Sequence, residues 1–109
     1  MKRKSMHQIG NETEKKAREM LKKDGWLVDI KNWSRWQSKD FYNLFDIVCV
    51  KGDQTKWVQV KSVGISGDMS NVNKARRLIK KWKLENSCSI PTEVWAYLQV
   101  KKAFRIIVV

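Results

Sequence analysis

The chain has 109 residues, 23 Lys+Arg against 11 Asp+Glu and a formal net charge of +12. That length makes one domain, since domains run roughly 100 to 200 residues, and 42% hydrophobic residues with six Trp are too much core material for a disordered tail. No apolar run approaches the roughly 18 residues of a membrane span, the basic start leads into a charged helical pattern instead of an apolar leader, and two Cys with a single His exclude a Cys/His zinc site within the chain and a disulfide scaffold; a cytoplasmic protein is expected.

In chain order, residues 1–9 read as a basic arm and residues 10–109 as the single domain. Ala17, Met20 and Leu21 fall at helical spacing, predicting a helix over 11–23 with Asn11 as N-cap, Glu14 reaching back as in a capping box, and Gly25 as the stop. Residues 26–30 read as a first strand. Residues 31–44 keep no period and mix aromatics with cations, which predicts a long loop. Residues 45–50 read as a buried strand, 51–54 as a turn, and 56–62, with strict alternation, as its hairpin partner. Val72, Ala75, Leu78, Ile79 and Trp82 give a second helix over 72–84 one apolar face. Residues 86–92, with the only Pro at 91, break it before paired strands over 94–100 and 104–109. The expected fold is α/β in the order α-β-β-β-α-β-β, a central mixed sheet flanked by helices.

The charge is uneven. Residues 1–31 hold 9 basic and 5 acidic groups, 32–68 hold 5 and 4, and 69–109 hold 9 and 2, so two basic flanks enclose a nearly neutral centre, as suits a polyanion surface around a cation site. In that centre Gln59 and Lys61 share one face of a strand while Val58 and Val60 take the other. Asp46 stands directly before Ile47, where a lone carboxylate is costly to desolvate unless it meets a cation. Asp46 and Lys61 are therefore either an ordinary cross-strand pair or parts of a metal site. Cys49, inside an apolar run, reads as a small buried hydrophobe.

The pattern Gly10-x-x-x-Glu14, Phe45-Asp46-Ile47-Val48, then Trp57-Val58-Gln59-Val60-Lys61-Ser62 resembles the PD-(D/E)XK nuclease superfamily, and within it the archaeal and viral Holliday junction resolvases. The resemblance runs from about Gly10 to Val109 and implies a restriction-endonuclease-like core and a metal-dependent DNA endonuclease acting on branched DNA, as a homodimer and of cellular, viral or mobile-element origin. It maps the helix-borne acid to Glu14, with Glu12 as an alternative, the motif acid to Asp46 and the motif base to Lys61. Gln59 departs from the pattern, replacing an acid by an amide. The implied cofactor is Mg²⁺, with Mn²⁺ able to substitute, held by Asp46, the Gln59 oxygen, the Val60 carbonyl and Glu14; Lys61 would assist the attacking water and stabilise the phosphoryl transition state. A nicking, flap or repair endonuclease on the same fold and a catalytically weak DNA-binding module are the rival readings.

Phosphate contacts are expected from Lys2, Arg3 and Lys4 on the arm, from Ser62 beside the motif, and from Lys74, Arg77 and Lys81 on the second helix. Arg35, Trp36 and Lys39 lie in the aromatic and basic loop, where stacking on unpaired bases, or covering of the core, would account for the composition.

Overall fold

The computed structural model describes residues 6–30 and 44–109. The elements are α1 (Met6–Lys23), β1 (Leu27–Ile30), β2 (Ile47–Lys51), β3 (Gln54–Val63), α2 (Ser70–Glu85), β4 (Thr92–Leu98) and β5 (Ala103–Val108). The arm residues 2–4 and loop residues 35, 36 and 39 lie outside the described part.

The expected order of elements is observed, with β3 and α2 each extended by one or two residues at their ends, β4 displaced to Thr92–Leu98 from the expected 94–100, and two further shifts that bear on the site. First, α1 begins at Met6, so Asn11 sits inside the helix and cannot be its N-cap, and residues 6–9 belong to α1 and not to an arm. Asn11 has the composition of a cap, but the helix continues back through Ile9, whose carbonyl accepts a 2.7 Å hydrogen bond from the Thr13 hydroxyl. Second, β2 starts at Ile47, not at residue 45, for a reason given with the site below.

The five strands form one sheet in chain order, β1-β2-β3-β4-β5. β1, β2 and β3 are an antiparallel meander, with Ile47 opposite Val58 and Lys51 opposite Gln54. Gly52, at φ 64°, supplies the left-handed residue of the β2–β3 turn. β3 and β4 run parallel, which a tight hairpin cannot join, and residues 64–91 including α2 make the crossover. β5 returns antiparallel to β4, giving a mixed sheet with a helix on each face.

Strand alternation divides the core in two. Val58, Val60, Ile47, Cys49 and Trp95 pack under Ala17 and Leu21 of α1, and Phe45, Val63, Val94 and Ala96 pack under Val72, Ala75 and Ile79 of α2. Met20 and Leu78, expected on the buried stripes, are about half exposed, each lying at the rim of its stripe where it lines a surface depression. Phe45, Trp57 and Trp82 close the α2 layer, edge to face at 5.4 and 5.6 Å, with the two indoles stacked at 6.1 Å. No described helix is long and apolar enough to cross a membrane.

Candidate active site

The centre of the sheet carries the polar residues. Gln59 and Lys61 sit on the α2 face of β3, between Trp57 and Val63, both of which join the α2 core. Gln59 is only 7% exposed, and its Oε1 has no hydrogen-bond partner among the described residues. A buried acceptor left so forgoes about 1 to 3 kcal/mol, and in native proteins such an atom calls for a reason.

Asp46 explains the late start of β2. Its N–H donates to the Val58 carbonyl at 2.9 Å, while its Oδ2 accepts the Val60 N–H at 2.8 Å. The carboxylate takes the place of the next ladder acceptor, so the chain bends and regular pairing ends at Ile47↔Val58. This fixes a carboxylate on a residue only 4% exposed against the β3 backbone at Val60, between Gln59 and Lys61. In a strand the N–H and C=O of one residue leave the backbone on the same side, so the Val60 carbonyl also faces the β2 side, beyond the last registered pair.

Outward from these groups lies a pocket of about 250 Å³ lined by Gln59, Lys61, Leu44 and, from α2, Asn71, Lys74, Ala75 and Leu78. The α2 residues fall at i, i+3, i+4 and i+7, one stripe of a helix. Asn71 had no place among the sequence expectations; the signal that could have found it is this spacing from Lys74, read against a polar β3 face.

The other expected residues are placed as follows. Glu14 is half-buried on α1, the helix packed on the Val58 and Val60 face, opposite to the pocket. Ser62 shares that opposite face by alternation, and its Oγ accepts the Gln99 amide at 2.8 Å. Arg77 lines a separate depression with Arg76, Lys80 and Val108, and Lys81 is exposed at 3.8 Å from Glu85. Gln59, Lys61 and Lys74 therefore line one pocket, Asp46 is joined to the backbone of Val60 between Gln59 and Lys61, and Arg77 and Ser62 make their contacts elsewhere.

Among the described residues no three His, Cys, Asp or Glu side chains converge. A hard divalent cation prefers oxygen ligands and keeps several waters. One fixed carboxylate, one unpartnered amide oxygen and one strand carbonyl match that preference in donor type, with a single formal charge among them.

On the α1 face the Lys56 ammonium lies 4.5 Å above the Trp26 ring and 3.1 Å from Glu93, whose Oε1 also accepts the Trp95 indole N–H at 2.9 Å. Beneath this group Cys49 is fully buried; desolvation pushes its thiol up to about 11, with Lys56 pulling the other way. Such a thiol is inert packing, not a nucleophile. Neither a scan against protein-family models nor a search of curated proteins finds a match to this chain.

Proposed function

We propose that this chain is a metal-dependent DNA endonuclease of the PD-(D/E)XK type, hydrolysing phosphodiester bonds in branched DNA as a Holliday junction resolvase does. The observation that carries the reading is the Asp46 carboxylate locked by the Val60 N–H beside Gln59 and Lys61, at the point where β2 leaves β3 and the sheet opens into a basic pocket. The order of elements and the mixed sheet agree with it.

Asp46, the Gln59 oxygen and the Val60 carbonyl are the groups that would hold Mg²⁺ or Mn²⁺. The chemistry the cation supplies when bound is Lewis acidity toward the phosphoryl oxygen and a more acidic water. The chain does the rest. The hydrogen bond from Val60 orients Asp46 in advance of substrate, so no reorganisation is required during the reaction. Lys61 brings a positive charge to the same strand face and offsets the charge that grows on the phosphate oxygens. The exposed cations of α2 hold the flanking backbone without reading sequence. A symmetric junction takes two cuts and each chain supplies one site, so the active species is a homodimer.

One observation favours a second reading. Gln59 leaves Asp46 as the single carboxylate among the described residues proposed to hold the cation, and a set with so little negative charge binds cations weakly; the chain would then be a DNA-binding module. Labelled four-way junction, flap, single-stranded and duplex DNA, incubated with Mg²⁺, Mn²⁺ or EDTA, separate the two. Paired symmetric cuts in the four-way junction, absent in EDTA and in Lys61→Ala, are the expected result. Cutting of flaps or duplex instead would make it a repair-type nuclease, and binding without cutting under any metal would leave only the module.

A further inference from the structure

The pocket under α2 is lined by two lysines from different elements, Lys61 on β3 and Lys74 on α2, together with the amides of Gln59 and Asn71, and by no acidic side chain among the described residues. Like charges sharing a small pocket repel, and among the described residues lining it no carboxylate offsets that cost. The acid at this end of α2, Asp68, is turned onto Ser70, accepting both its N–H, at 2.9 Å, and its hydroxyl, and these bonds lower its pKa. The pocket also sits beside the second residue of a 16-residue helix, the end at which backbone N–H groups and the helix dipole favour an anion. At about 250 Å³ the space is below the roughly 300 Å³ at which drug-sized ligand sites begin, and suits one phosphate group with its waters.

We infer that Lys61 and Lys74 grip one and the same DNA phosphate from opposite walls of this pocket, with Asn71 donating to it, and that they do so without a metal ion. The inference rests on the DNA-binding half of the proposed function and not on cleavage. It separates Lys74 from the other cations of α2: Arg76, Arg77 and Lys80 line a different depression and meet other phosphates or none.

Binding is measured in EDTA, by fluorescence anisotropy on four-way junctions carrying a single neutral methylphosphonate walked through the branch region. One methylphosphonate position is expected to weaken the wild type, to matter less in Lys61→Gln and in Lys74→Gln, and to make no difference in the double variant, whereas Arg76→Gln keeps the full wild-type effect there. Two lysines on one phosphate also count once in counterion release. The double variant should therefore lower the salt slope by about 0.9, where two separate phosphates would cost about 1.8. Asn71→Ala should weaken binding at the same position with the slope unchanged. If the two lysines respond to different positions, if every effect is additive, or if the protein does not bind DNA in EDTA, the inference is wrong. Coupled lysines in a protein that never cuts would leave it standing and remove the endonuclease reading, and cutting with uncoupled lysines would do the reverse.

Discussion

Asp46 has two separable tasks, one for stability and one for chemistry. The Val60 N–H is buried and has the carboxylate as acceptor, so Asp46→Ala leaves a donor unsatisfied and should cost about 1 to 3 kcal/mol, read as a lower urea midpoint, together with all cleavage. Asp46→Asn keeps an acceptor of nearly the same shape. It should stay within about 1 kcal/mol of wild type and still fail to cut, and wild-type activity in that folded variant would show that the charge is not used. Gln59→Glu tests the departure from the acidic pattern. A second carboxylate should increase the rise in Tm that Mg²⁺ produces, since a ligand stabilises according to its affinity for the folded state, and should lower the Mg²⁺ concentration for half-maximal cleavage. Equal Mg²⁺ responses in both proteins would exclude residue 59 as a ligand. Cys49 gives a pH prediction. Its thiol ionises near 9 in the unfolded chain and about 11 in the fold, so the folded state retains a proton that the unfolded state loses between those values. The thiol therefore adds no pH dependence below about 9, and stability falls as pH rises from there to about 11. In Cys49→Ala that share of the alkaline loss disappears, and the gap to wild type in urea midpoint should shift in the variant's favour across the window.

Both helices end in the same way, with different residues at the critical position. After α1 the Gly25 N–H bonds Lys22 and the Trp26 N–H bonds Leu21, with Gly25 at φ 94°. After α2 the Ser87 N–H bonds Leu84 and the Cys88 N–H bonds Lys83, with Ser87 at φ 47°. Both are the paired-bond C-terminal motif in which glycine is preferred. A non-glycine residue in this left-handed region costs roughly 1 to 2 kcal/mol. Gly25→Ala should therefore destabilise by about that amount, and Ser87→Gly should stabilise by up to about 1 kcal/mol, both seen as Tm shifts; a lower Tm for Ser87→Gly would mean that the serine is held by something beyond its backbone. The first motif was legible in the sequence because Gly25 announces it. The second was not, because Ser carries no such signal. The start of β2 was hidden for a different cause: the bond that bends the chain joins residues 14 apart, and periodicity sees only near neighbours. Alternation over residues 56 to 62, by contrast, was enough to put Gln59 and Lys61 on one face.

At the scale of the molecule, α2 presents Lys74, Arg76, Arg77, Lys80 and Lys81 as exposed cations above a sheet centre that is nearly neutral. Affinity for DNA should fall steeply with salt, with a log–log slope of about −4 or steeper if four or more phosphates are neutralised; a slope near zero would mean that the +12 charge serves solubility alone. The fold class was readable because two strong periods, alternating strands and the α2 stripe, fix which faces are apolar. The pocket was not, since it forms where the polar end of that stripe crosses the polar face of β3, and only the crossover brings residue 71 over residue 59.

Trp57 and Trp82 stack at 6.1 Å with 27° between their planes, one on β3 two residues from Gln59 and the other on α2 two turns beyond Ala75. Two indoles so close and so nearly parallel couple their electronic transitions, which makes the pair a built-in optical gauge of the seam between sheet and helix. Any ligand that draws α2 toward or away from β3 should change the near-ultraviolet circular dichroism of this pair before any label is attached.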